Sequence, residues 1–341
     1  MKLAISWVNS DINAYAELAE ATERAGFGLL GCPDTQTGQF RNVYVSLTLA
    51  ATRTQAIHFG PWVTNAVTRH PAVTAAALGT LAELAPGRVV CAFGTGDSGV
   101  FNLGLRPAKL SRLGDYIDTV RDLMNGQEAE WDGGVARVGA AAGAVPLYLA
   151  AGGPKTLELA GRVADGAIVA MGLTAEAVTA AYEAIARGAQ ESSRDTNRFE
   201  RWWWARVAIN EDRDTAVSEV LPALASAVND AFRFTLEGKG VPEQLHEPIA
   251  RLQEGYDFTA HNRPGLDNPN ALLARKLGLA DYLTERFGVV GSYDDVVGRI
   301  RHLETLGVDG LVMRVHAKDR LAFLEDWARE IMPRLAASRR D

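Results

Sequence analysis

PLYLAAGGPKTLELAGRVADGAIVAMG runs from Pro146 to Gly172. Its ends are apolar runs, VPLYLAAGG (145–153) and DGAIVAMG (165–172), and PKTLELAGRVA between them carries apolar residues at helical spacing. A strand that is apolar at every position is covered on both faces, as strands of a parallel sheet are. Pro154 suits the first turn of the helix, where its missing N–H goes unused. The reading is strand, helix, strand, with the strands parallel.

The same alternation extends outward in both directions. Strand-like runs occupy 3–7, 28–32, 56–64 and 88–96, separated by helical patterns at 14–26, 43–54, 72–87 and 107–124, the last with Pro107 in its first turn. Beyond Gly172 come a helix at 175–193, the strand FERWWWARVAIN at 199–210, a helix at 292–308, a strand at 309–316 and a closing helix to about 335. Two segments break the rhythm: a short hairpin at about 125–145, and helices and loops at about 212–287. Eight βα units predict an α/β chain forming one (β/α)8 TIM barrel over 1–341, with those segments as insertions. The rival is a doubly wound open sheet. The first strand carries no GxGxxG, and Gly94, Gly96 and Gly99 follow the fourth strand with the wrong spacing, so no dinucleotide fingerprint supports it.

Composition narrows the function classes. The chain has 341 residues, 47% of them hydrophobic, and 35 basic against 42 acidic side chains, a net charge of −7. Basic residues are interleaved with acids, which argues against a nucleic-acid face. No apolar stretch reaches membrane-spanning length, and MKLAISW is too short for a signal sequence, so a cytoplasmic protein is expected. Cys32 and Cys91 sit in apolar runs and read as buried free thiols. Six histidines at scattered positions show no ligand spacing, so no metal is expected.

In a barrel, the loops after the strands carry function. Trp7 then follows strand one; Asp34 and Gln36 follow strand two; Thr64, Asn65 and His70 follow strand three. Gly96, Asp97 and Ser98 follow strand four, Gly152, Gly153 and Lys155 strand five, Met171 and Gly172 strand six, and Arg314 and His316 the last. AAGGPKT is the clearest anion signal: glycines allow close backbone approach, and a helix start offers orphan N–H groups. His70 either faces a substrate or caps the helix after it. In RWWWAR (201–206) the bland reading is core packing, with alternate side chains facing in and out.

Three stretches together resemble the bacterial luciferase-like superfamily of flavin-dependent oxidoreductases: WVTNAVTRHPAVTAAALGTLAELAPGRVVCAFGTGDS, PLYLAAGGPKTLELAGRVADGAIVAMG and RFGVVGSYDDVVGRIRHLETLGVDGLVMRV. AGGPK is similar to the branch that includes methylenetetrahydromethanopterin reductase. The resemblance covers nearly the whole chain and is thinnest over 212–280. It implies a luciferase-like barrel, usually a homodimer, with FMN or the deazaflavin F420 at the C-terminal mouth. It implies a non-prolyl cis peptide within Val63, Thr64 and Asn65, with Asn65, Gly96, Asp97 and Ser98 along the ring's edge. It implies Gly152, Gly153, Lys155, Met171 and Gly172 near the cofactor phosphate, and Trp7, Asp34 and Asn65 near the ring; with His70 these are the candidate catalytic positions. The first expectation is a monooxygenase that takes reduced FMN from a separate NAD(P)H-dependent flavin reductase and uses O2 on a small organic substrate. The alternative is an F420-dependent reductase or dehydrogenase.

Overall fold

The computed structural model describes residues 1–35, 37–139, 144–261 and 263–337; Gln36 and part of the first insertion lie outside them. The strands are β1 (Lys2–Ser6), β2 (Leu29–Cys32), β3 (His58–Asn65), β4 (Cys91–Gly94), β5 (Glu128–Trp131), β6 (Gly134–Arg137), β7 (Leu147–Ala151), β8 (Gly166–Val169), β9 (Glu200–Ile209), β10 (Gly288–Gly291) and β11 (Gly310–Val315). Nine form one sheet in the order β10-β9-β11-β1-β2-β3-β4-β7-β8, and a further β9–β8 pairing closes it. All of its pairs are parallel. The barrel is therefore the eight-stranded parallel one, with β10 added along β9 beyond the point where β8 ends. β5 and β6 form a separate antiparallel hairpin, as the broken rhythm at 125–145 predicts.

Two local expectations need correction. Pro107 does not open the fourth helix, which starts at Leu110; a short helix, Ser98–Phe101, precedes it in the loop after β4. β10 was not anticipated, because four residues ending in glycine carry too little pattern to register as a strand.

Period-two alternation sorts the side chains of the closing strand. Trp202 and Trp204 pack inside the barrel with Trp62, Tyr148, Ala4 and Val312. Trp203, Ala205 and Val207 point the other way, into the layer between sheet and helices. RWWWAR thus serves two cores at once. Trp62 meets Trp202 edge-on, with ring centroids 6.2 Å apart, and lies 5.3 Å from Tyr148. These rings plug the barrel's middle and separate the cavity at its C-terminal mouth from a hollow at its N-terminal end, lined by Lys2, Leu29, His58, Val90 and Glu200.

The second insertion has a core of its own. Helices Arg213–Phe232, His246–Glu254, Pro269–Lys276 and Ala280–Phe287 gather Val220, Leu224, Val228, Ile249, Leu252 and Leu283 into a cluster separate from the barrel's. Cys32 and Cys91 are free and buried, and burial pushes the Cys32 thiol up to about 12, so neither is a ready thiolate. No helix among the described residues is long and apolar enough to cross a membrane.

Candidate functional site

A cavity of about 350 Å³ opens at the C-terminal ends of the strands. Its wall on one side is the end of β3 and the loop after β4, from Asn65 and from Gly94 to Gly99. Trp62 and Val63 line it below, and the peptide bond between them is cis. The expected bulge is therefore present at Val63, but its cis bond joins Trp62 to Val63, one peptide bond before the expected segment. It shows in the pairing of β3 with β4, whose register slips between Trp62 and Thr64.

The glycines of the β4 loop leave no room for side chains. Gly96 has φ +106, and a Cβ there would stand 2.4 Å from Val100 Cγ2. That backbone conformation and that proximity both require glycine. The loop's glycines therefore pack against Val100 and Asp34, and they line the cavity together with Thr95, Asp97 and Ser98. Asp97 Oδ1 accepts from the Arg233 guanidinium at 3.3 Å, and Ser98 starts the short helix of this loop.

Asp34 anchors the wall from beneath. Thr64 Oγ1 donates to Asp34 Oδ2 at 2.6 Å, and Arg69 grips both carboxylate oxygens. The pair is nearly dry, with side-chain exposures of 13% for Arg69 and 1% for Asp34, so it ties β2 to the segment after β3. Asn65 Oδ1 accepts from the N–H groups of Val67 and Thr68, both at 2.9 Å. That closes an Asx turn and leaves the side-chain nitrogen as the group able to address the cavity.

Other sequence-predicted positions lie elsewhere. β1 sends Ser6 and Val8 into the cavity. Trp7 between them faces the helices, where its indole N–H donates to Thr22 Oγ1 at 2.9 Å. His70 is exposed and caps helix Pro71–Leu84, its Nδ1 accepting from Ala72 N at 3.2 Å. Neither residue lines the cavity.

The expected phosphate residues gather outside the cavity, around two cations that sequence reading missed. Arg286, wholly buried, donates through Nε to the Met171 carbonyl at 2.9 Å, and Gly172 (φ +115) leaves its side chain room to pass. A Cβ on Gly153 would stand 3.3 Å from Lys239 Cε. Lys239 donates to the Ala231 carbonyl at 2.5 Å, and burial, then Arg286, hold its ammonium down to about 8. Lys155 is exposed on the first turn of helix Pro154–Val163. A helix N-terminus, a lysine and an arginine thus concentrate positive charge in one place, a setting that favours an anion.

Across the cavity from the β4 loop stand Trp204 and Arg206 of β9 and Arg314 of β11. Asp230, on helix Arg213–Phe232, completes that side. Burial, then Asp97, raise the Asp230 pKa. His316, just beyond β11, is held down to about 3 by burial and then by the two arginines. No group of three or more metal-ligating side chains occurs among the described residues.

A closed parallel barrel with glycine backbone and a cis-peptide bulge facing its mouth is the setting of a flavin-type oxidoreductase. A family profile described as Luciferase-like monooxygenase matches residues 4–310, and the chain belongs to that family. The 5,10-methylenetetrahydromethanopterin reductase of Archaeoglobus fulgidus is 29% identical over 98% of this chain and 100% of its own length. The F420-dependent glucose-6-phosphate dehydrogenase of Nakamurella multipartita is 27% identical over 94% of this chain and 92% of its own. The solved coenzyme F420 dependent tetrahydromethanopterin reductase from Methanopyrus kandleri superposes with a TM-score of 0.75 at 24% identity, covering 98% of this chain and 99% of that one. The chain is an oxidoreductase of the flavin and deazaflavin class.

Proposed function

We propose that this protein exchanges hydride between coenzyme F420 and a small organic substrate held in the mouth cavity. The observation that carries the choice is the near full-length similarity to relatives whose names specify reductase or F420-dependent dehydrogenase chemistry. It favours the alternative of the two expected activities over the reduced-FMN monooxygenase with its flavin-reductase partner.

The residues present fit a flat heterocycle. The loop from Gly94 to Gly99 is close-packed at its glycines and forms one wall of the cavity, and Val63 supports the same wall. In this reading Asn65 Nδ2 and the N–H groups of the β4 loop address the ring's polar edge, while Asp34, Thr64 and Arg69 keep the wall rigid. Lys239, Arg286 and the start of helix Pro154–Val163 attract the anionic side chain. When bound, a deazaflavin supplies a two-electron hydride donor and acceptor. The protein's part is to orient substrate against it and to limit access of water.

Anaerobic turnover separates the two activities. Under argon, candidate alcohols, aldehydes and imines should change the absorbance of F420. Turnover that needs reduced FMN and O2, with no binding of F420, would overturn this reading.

A further inference from the structure

Arg206 and Arg314 are directly opposite each other in the β9–β11 ladder. Each lies two residues beyond an inward-facing neighbour, Trp204 and Val312 respectively, so alternation turns both guanidiniums into the barrel. Both line the mouth cavity. Arg206 is only 7% exposed, and Arg314 is half-buried. Yet neither guanidinium donates a hydrogen bond to, or forms an ion pair with, any described residue. Buried arginines ordinarily come paired. Here two like charges share one register position on adjacent strands, which lie about 5 Å apart. The acid nearest in effect is Asp230, whose carboxyl is itself biased towards the neutral form. His316 Nε2, also buried and without a partner, belongs to the same cluster.

Such an arrangement is unfavourable when empty and is relieved by one compact anion. Guanidinium forks match the two oxygens of a carboxylate or phosphate, and two of them can clamp one group from neighbouring strands. They also face the β4 loop across the cavity, so an anion held there lies on the side away from the cofactor wall. We propose that the substrate carries a carboxylate or phosphate group and that Arg206 and Arg314 bind it. The inference rests on the mouth cavity being the reaction site. It extends that reading from a small organic substrate to an anionic one, with Trp204 as the apolar surface between the anion and the reacting carbon.

The test uses purified protein, with succinate and inorganic phosphate as probes at constant ionic strength. Wild type should gain thermal stability with one of them, saturably. Arg206→Gln and Arg314→Gln should each weaken that response about tenfold or more, and the double variant should abolish it. Removing one of two like charges held side by side should leave the variants at least as stable as wild type in probe-free buffer; if the double variant does not fold, the single variants decide. F420 affinity, titrated by fluorescence, should stay within about threefold of wild type, as expected for groups across the cavity from the cofactor wall. An anion response that survives in the variants would place the anion elsewhere and overturn the proposal. A tenfold loss of F420 affinity would also overturn it, by making the arginines a cofactor site. If wild type binds no F420 while the arginine-dependent response persists, the cofactor assignment fails and the anion subsite stands.

Discussion

Asn65 has two separable duties. Its side-chain oxygen holds the turn after β3, and its nitrogen is left for a ligand. Alanine removes both, so Asn65→Ala should lose stability, by about 1–2 kcal/mol for two backbone donors left without their acceptor. Aspartate keeps the oxygen and removes the donor. Asn65→Asp should therefore melt close to wild type and lose turnover, by about tenfold or more if one hydrogen bond to the reacting ring is lost. Paired melting and kinetic measurements on the two variants check this. Wild-type turnover in Asn65→Asp would reduce Asn65 to a turn residue. Trp7 and His70 teach a related point. Both sit at strand or helix ends that the sequence identifies correctly, yet one faces the helices and the other solvent. A strand's end can be read from the pattern, but which neighbour points inward depends on the phase of the pleat. At β1 that phase selects Ser6 and Val8 for the cavity.

For β9 the phase assigns different tasks to adjacent tryptophans. Trp203 is fully buried between sheet and helices, with its ring 5.9 Å from Tyr182. Trp204 lines the cavity and is only partly buried. Trp203→Ala should cost about 3–5 kcal/mol, as large aromatic truncations in closed cores do. Trp204→Ala should cost much less and instead change ligand affinity and KM. Urea unfolding and steady-state kinetics on both variants test this, and equal destabilisation would refute the division. The sequence made β9 legible as a strand from its apolar, aromatic run. It hid the role of Arg206, because which face of the strand carries that charge, and what stands beside it, is set only when β9 pairs with β11. The helices at 212–287 were illegible for another reason. Helix Arg213–Phe232 is buried on most of its faces and contains Pro222, so neither amphipathic period nor clean boundaries mark it. Lys239 and Arg286 come from that region and its edge, which is why the cations beside Gly153 and Gly172 went unread while the glycines did not.

At the scale of the whole molecule, the buried positive cluster sets an acid limit on stability. His316 is neutral when folded, with its pKa at about 3, against an ordinary value of 6.5. Above 6.5 the imidazole is neutral in both states and imposes no penalty. As pH falls from 6.5 towards 3, the unfolded chain takes up a proton that the folded chain refuses. Stability should therefore fall by about 1.4 kcal/mol per pH unit from this group. Carboxylates add to the same limb, so the check is the difference in urea-derived stability between wild type and His316→Gln from pH 7 to 4. The variant should lose part of the slope, and an unchanged slope would remove His316 from the account. The barrel itself was legible because its apolar runs recur between helices, a signal that eight repeats make redundant. The closing pair was not, since only the folded sheet sets β11 and β9 side by side and brings Arg314 level with Arg206. The same seam has a consequence for how such a chain can diversify. Ile209 and Gly291 are register partners, and Asn210 N donates to the Gly291 carbonyl at 3.0 Å. The segment between them leaves and re-enters the barrel at neighbouring points, and its helices share an apolar cluster that is rooted on Ala208 and Val290 of the strands. Closing a longer or shorter loop across that gap changes the entropy only slowly with length. Residues 211–287 therefore behave as a cassette: exchanging them would change Asp230 at the mouth and the Lys239 and Arg286 cations together, while the strands beneath keep their register.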